Sequence, residues 1–90
     1  MKIDVYDTYA HSKNGHVIHF DVFVKEGTDP KIAFAYAQKF LIGIGEEETS
    51  LKQSHCNFCH TEQANPKVLK TVEEIGYAIL EMEGCPNSVI

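Results

Sequence analysis

Asn14-Gly15 is the feature that most restricts how this 90-residue chain can fold. Asn-Gly is a preferred pair for two-residue turns between antiparallel strands, because both turn positions need a positive φ. On either side of the pair, apolar and polar residues alternate over residues 2–11 and 16–25, as they do in strands with one buried face. The sequence therefore predicts a β-hairpin at the start of the chain.

A two-residue turn at Asn14-Gly15 also predicts the register of the hairpin, with Tyr9 paired to Phe20. One face then carries the more apolar set, which is Ile3, Val5, Tyr9, Ile18, Phe20, Val22 and Val24. The other face carries Asp4, Tyr6, Thr8, Val17, His19, Asp21 and Phe23. A slip of one residue would move each set to the wrong side, so the pattern favours this register. We expect the helices of the domain to cover the first face.

Three polar residues of the hairpin are candidates for function. His19 and Asp21 are two residues apart and share a face, an arrangement that suits either a cross-strand hydrogen bond or acid–base chemistry. The cross-strand hydrogen bond is the interpretation that the pattern favours. Asp7 falls on the apolar face opposite Val22, where a carboxylate needs a partner or a raised pKa.

Two helices are predicted after the hairpin, each opening with a capping residue and a proline. Asp29-Pro30 and Asn65-Pro66 are such starts, and apolar residues follow both at helical spacing. Strands are expected at 51–56 and 77–82. The order is ββαβαβ, which predicts an α+β fold in one compact domain over residues 1–90. We expect a four-stranded mixed sheet with both helices packed on one face.

The topology has a consequence for the cysteines. A strand–helix–strand unit usually joins parallel strands by a right-handed crossover. If the strands at 51–56 and 77–82 form such a unit, their C-terminal ends lie at one edge of the sheet. Cys56 closes the first strand and Cys85 lies just beyond the second. The crossover therefore predicts that Cys56 and Cys85 come together.

Composition limits the partners and the compartment. Eight lysines, no arginine and 13 acidic residues give a net charge of -5. Arginine is the residue that best reads phosphate and guanine, so no nucleic-acid partner is expected. The sequence contains neither an apolar run of membrane-spanning length nor an N-terminal export signal, which predicts a cytoplasmic protein with no membrane partner. Three cysteines in that compartment favour a metal or redox site over disulfides.

The segment His55-Cys56-Asn57-Phe58-Cys59-His60 carries the most distinctive chemistry. Zinc binds four such ligands, and we expect them to be Cys56, Cys59, Cys85 and, as the fourth, His60, with His55 as the other nearby histidine. A reduced turn without metal is an equally weighted interpretation. Cys-x-x-Cys-His also matches the covalent haem pattern, but the strand-rich fold and the absence of an export signal argue against haem. Thiol redox chemistry at Cys56 lacks the helix that would activate the thiol.

The chain resembles a small bacterial family known as domain of unknown function 2024. The resemblance rests on four segments that extend across nearly the whole chain: Val5–Tyr9, Gly15–Phe23, Cys56–His60 and Met82–Cys85. It implies a compact α+β domain of about this length. It implies no activity, and so no catalytic residue is carried over.

Three functions remain open at this point. A zinc-stabilised interaction module built on Cys56, Cys59 and Cys85 is the leading hypothesis. The second is a small enzyme that uses Cys56 or His19, and the third is a metal-free structural protein. Whether the protein is an enzyme, and on what substrate, is not specified by any residue pattern in the sequence.

Overall fold

The computed structural model describes residues 2–12, 15–46 and 55–82. Within them the chain forms four strands and two helices in the predicted order ββαβαβ. The elements are β1 (Lys2–His11), β2 (Val17–Lys25), α1 (Pro30–Gly43), β3 (His55–Gln63), α2 (Pro66–Ile75) and β4 (Tyr77–Glu81). The α+β class is confirmed. No helix in the described ranges has both the length and the apolar character needed to cross a membrane.

Both helices begin where the sequence predicts. The Asp29 carboxylate accepts a hydrogen bond from the Lys31 amide at 2.8 Å, and the Asn65 side chain accepts one from the Val68 amide at 2.9 Å. Each cap satisfies a backbone donor that the first helical turn leaves without an intrahelical acceptor. Gly76 ends α2 with φ of 94°, a left-handed conformation that glycine adopts without steric cost.

The sheet is antiparallel throughout, not mixed as predicted. Its strand order is β3-β1-β2-β4, and each neighbouring pair is antiparallel. The two central strands are buried on both sides. The helices lie on opposite faces, because α1 packs on even-numbered positions of β1 and β2 and α2 packs on odd-numbered ones. This corrects the prediction that both helices pack on one face. One core forms under α1 and contains Tyr6, Ala10, Ile18, Phe20, Val22, Val24, Ala33, Ala37 and Leu41. The other forms under α2 and contains Ile3, Val5, Phe23, Val72 and Ala78.

The antiparallel pairing of β1 with β2 is confirmed, but the predicted register is wrong by one residue. Tyr9 pairs with His19, not with Phe20. The Ser12 amide donates to the His16 carbonyl, and the Gly15 amide donates to the Ser12 carbonyl. Three residues therefore lie between Ser12 and His16, with Gly15 at φ of 88°. Three-residue loops with glycine in this conformation are the next most common hairpin connection, and they shift the pairing by one position. Asn14 lies outside the described residues.

The predicted parallel crossover is also wrong. β3 and β4 lie at opposite edges of the sheet and run in opposite directions, with β1 and β2 between them. Ten residues of α helix span about 15 Å, which is close to the three strand spacings, about 14 Å in all, that separate the edges. Helix α2 is therefore long enough to cross the sheet from one edge to the other. The part of the predicted strand at 51–54 lies outside the described residues.

Candidate functional site

The observed register brings three polar side chains together on the face that α2 covers in part. Helix α2 packs where β1 and β2 carry Ile3, Val5 and Phe23. Farther along the same face, Asp7 pairs directly with Asp21. His19 is two residues from Asp21 on β2, and successive odd positions of a strand share a face. This end of the face is partly open to solvent, as the 35% exposure of the Asp7 side chain shows.

The contacts within this Asp7-His19-Asp21 cluster are short. His19 Nε2 donates a hydrogen bond to Asp7 Oδ1 at 2.7 Å. Tyr9 stacks on the imidazole, with ring centroids 4.1 Å apart and planes within 10°. This stack fixes the plane of the ring, and the hydrogen bond fixes its rotation. The predicted cross-strand hydrogen bond of His19 is present, and its acceptor is Asp7.

The two carboxyl groups have opposite electrostatic environments. The hydrogen bond from His19 lowers the pKa of Asp7 below its usual range. Burial, followed by the proximity of Asp7, raises the pKa of Asp21 to about 6. Asp21 Oδ1 is buried and accepts no hydrogen bond from the described part of the chain. Asp7 thus has His19 as its hydrogen-bond partner, whereas the negative charge of Asp21 is poorly compensated.

The cluster has the donors and the spacing of a metal site. One ligand atom from each of Asp7, His19 and Asp21 lies within 4.8 Å of the other two. Within residues 2–12, 15–46 and 55–82 this is the one group of three or more histidine, cysteine or acidic side chains that close together. Two atoms bound to one ion at metal–ligand distances of about 2.1 Å are themselves about 3 Å apart. The 2.7 Å between His19 Nε2 and Asp7 Oδ1 is shorter, because these atoms share a hydrogen bond whose proton a bound ion would replace.

The cysteine motif lies in a strand and not in a turn. β3 continues through the whole of Cys56–His60, and a β-bulge interrupts its pairing with β1. Phe58 pairs with Tyr6 and His60 pairs with Val5, so Cys59 is the extra residue. Cys56 packs half-buried against the core under α1, whereas Cys59 is exposed. The two thiols of the Cys-x-x-Cys motif therefore have different surroundings.

The predicted zinc ligands are only partly described. The bulge brings Cys59 Sγ within 3.2 Å of His60 Nδ1, although neighbouring strand residues normally point apart. Burial raises the pKa of the Cys56 thiol, which disfavours the thiolate that binds zinc or attacks a substrate. Cys85 lies outside the described residues, and the crossover that was expected to bring it to Cys56 is absent from the sheet. The four-ligand zinc site stays a prediction.

The sequence identified each member of the cluster without assembling it. His19 and Asp21 were expected to share a face, and Asp7 was expected to need a partner. The missing information was the register: with Tyr9 paired to Phe20, Asp7 falls opposite Val22, whereas the observed pairing puts it opposite Asp21. The signal that could have found the site is the unfavourable position of Asp7 in the predicted register. A three-residue loop removes that problem.

An apolar groove of about 460 Å³ lies elsewhere on the molecule, along α2 and β4. Its lining includes Val68, Ile75, Tyr77 and Leu80. The residues of the Asp7-His19-Asp21 cluster do not line it, and neither does Cys59. The groove and the titratable groups are therefore separate features.

Comparison with known proteins adds family and fold. The model of a family described as a domain of unknown function (DUF2024) matches residues 1–82. The NMR structure of protein NE1680 from Nitrosomonas europaea, a structural genomics target, is similar with 44% sequence identity and a TM-score of 0.77. That likeness covers 96% of this chain and 100% of the other. None of the curated proteins matches the chain.

Proposed function

The chain belongs to the DUF2024 family, and we propose that it binds a divalent metal ion through Asp7, His19 and Asp21. The observation that carries the proposal is the convergence of two carboxylates and an imidazole within 4.8 Å, one carboxylate oxygen being buried and without a hydrogen-bond partner in the described residues. A cation between the two carboxylates offsets their mutual repulsion and satisfies Asp21. The net charge of -5 adds a weak general attraction for cations.

The ligand types favour a first-row divalent ion. Carboxylates suit Mn²⁺ and Mg²⁺, whereas imidazole suits Zn²⁺ and Fe²⁺. A set of two carboxylates and one imidazole combines both ligand types. We therefore choose Mn²⁺, which prefers carboxylates, and Zn²⁺, which binds imidazole, as the ions to test. Zinc therefore remains a candidate cofactor, but at different residues from those expected at the cysteine motif.

Three protein ligands leave at least one coordination position for water or for a ligand. The cluster is reachable from solvent, because the side chains of Asp7 and His19 are 35% and 20% exposed. A site of this kind is suited to ligand exchange or to activation of a bound water, more than to a purely structural role. We therefore propose an exchangeable metal centre and not a closed structural one.

A second candidate is proton transfer without a metal. It is favoured by one observation, namely that the pKa values of two adjacent carboxyl groups shift in opposite directions. Such pairs supply an acid and a base at one place in many enzymes. Added metal distinguishes the two candidates. The metal-binding proposal requires a bound ion, whereas the proton-transfer proposal does not.

Isothermal titration calorimetry with chelator-treated protein tests the metal proposal. Mn²⁺ is the first probe, because thiolates prefer softer ions and the cysteines should not compete for it. We expect Asp21→Asn and His19→Gln to weaken Mn²⁺ binding at least about tenfold, since each removes a ligand. Glu74→Gln makes the same change of charge as Asp21→Asn at an exposed position of α2, and it should leave the affinity unchanged. Equal affinities in Asp21→Asn and Glu74→Gln would contradict the proposal, as would a native protein that does not bind Mn²⁺.

A further inference from the structure

The bulge in β3 brings together a second group of side chains, which the metal proposal does not use. Cys59 is the extra residue, so no residue of β1 pairs with it. A bulge redirects side chains, and here it places two adjacent residues side by side. Cys59 Sγ lies 3.2 Å from His60 Nδ1. In a regular strand the two side chains would project to opposite faces.

A carboxylate completes the group from the other side of the imidazole ring. His60 Nε2 lies 3.7 Å from Glu62 Oε1. Glu62 is two residues from His60 in the same strand, which puts both side chains on one face. A negative charge beside Nε2 favours the tautomer that has its proton there, and this leaves Nδ1 free to accept the thiol proton. The order thiol, imidazole, carboxylate is that of an activated nucleophile.

We propose that Cys59 is a reactive thiol that undergoes exchange with low-molecular-weight disulfides, with His60 as the base. His60 Nδ1 takes the proton from Cys59 Sγ, and the thiolate attacks one sulfur of the disulfide. A new sulfur–sulfur bond to Cys59 forms as the bond within the small disulfide breaks. The departing thiolate takes the proton from His60 and leaves as a thiol. The product is a mixed disulfide on Cys59, and the small disulfide supplies the oxidising equivalents.

The surroundings of the two described cysteines explain why a disulfide from solution is the co-reactant. Cys59 is exposed on an edge strand, so a small disulfide reaches it without any rearrangement of the sheet. Cys56, three residues away, packs against the core under α1, and burial raises the pKa of its thiol. Cys56 is therefore neither a competing nucleophile nor a ready partner for an internal disulfide with Cys59. It serves as an internal reference for reactivity.

The test uses oxidised glutathione as the probe, at neutral pH and with a chelator present so that no metal masks the thiols. Tandem mass spectrometry follows the mixed disulfide at each cysteine of the full chain over time. We expect Cys59 to react at least about tenfold faster than Cys56, in line with the exposure and base that an activated thiol needs. His60→Gln should slow the reaction of Cys59 at least about tenfold, and Glu62→Gln by a smaller factor.

Two controls keep the result interpretable. His11→Gln removes an exposed imidazole from β1, and it should leave the rate at Cys59 unchanged. Thermal melting of His60→Gln distinguishes loss of the base from loss of the fold. The proposal is wrong if a folded His60→Gln variant reacts at the native rate, or if Cys59 reacts no faster than Cys56.

Discussion

At the scale of single residues, two carboxyl groups that face each other across β1 and β2 have pKa values shifted in opposite directions. Asp7 receives the hydrogen bond from His19, and this lowers its pKa. Burial, followed by the proximity of Asp7, raises the pKa of Asp21 to about 6. The difference follows from the hydrogen bond that Asp7 receives and from the burial of Asp21.

Asp21 makes the stability of the protein depend on pH in a direction unusual for a carboxylate. Its pKa is about 6 in the folded protein, against a usual 3.8. The folded state thus binds this proton more tightly than the unfolded state does. The resulting stabilisation is present below about pH 4 and is lost as the pH rises from about 4 to about 6.

Asp21→Asn should remove this loss. We expect the free energy of unfolding of the variant, relative to native protein, to increase by about 1 kcal/mol between pH 4.5 and pH 7, allowing for partial solvent screening. Urea denaturation of both proteins across that range, with metal excluded, measures the difference. If the difference in unfolding free energy between the two proteins stays constant with pH, burial and Asp7 do not raise the pKa of Asp21.

At the scale of the elements, the sequence predicted most features that depend on neighbouring residues and fewer that depend on strand pairing. Both helix caps and the order of the elements follow from residues within a few positions of each other. The register of the hairpin depended on one extra loop residue, which Asn-Gly alone does not specify. The bulge at Cys59 carries no recognisable signal, because it arises from the pairing of β3 with β1. The closeness of Cys59 and His60 could therefore not be predicted.

The junction between α2 and β4 depends on a glycine for two separate reasons. Gly76 has φ of 94°, and a Cβ added there would lie 2.8 Å from the hydroxyl oxygen of Tyr36. Tyr36 is held in place by stacking on Tyr77, with ring centroids 4.2 Å apart. Gly45 has φ of 90° but open space around it, so it isolates the backbone contribution.

We expect Gly45→Ala to destabilise the protein by about 1 to 2 kcal/mol, the cost of a left-handed alanine. Gly76→Ala should cost about 1 kcal/mol more, because the tyrosine must move. Repeating both substitutions in a Tyr36→Phe background, which lacks the hydroxyl group, should make the two costs equal. Chemical denaturation of the four variants and their parents measures the costs. An excess at Gly76 that persists without the hydroxyl group would rule out the steric explanation.

At the scale of the whole molecule, the positions of the two helices decide where the site is. α1 and α2 cover opposite faces of an antiparallel sheet, and the core under α2 is the smaller of the two. α2 packs over Ile3, Val5 and Phe23, and the remainder of that face carries the Asp7-His19-Asp21 cluster. The hydrophobic pattern did not predict this arrangement, because the predicted register assigned most apolar residues of β1 and β2 to one face, whereas the observed register gives each face a core.

Paramagnetic broadening by Mn²⁺ tests most directly whether the ion binds at this cluster. In an amide nitrogen–proton correlation spectrum, substoichiometric Mn²⁺ should first broaden the signals of Asp7, His19 and Asp21. Signals from Ala37, on the helix that packs against the other face, should persist, and Asp21→Asn should abolish the selective loss. Broadening spread over the exposed carboxylates of α2 with the cluster unaffected, or selective broadening that Asp21→Asn does not reduce, would contradict a metal site formed by Asp7, His19 and Asp21.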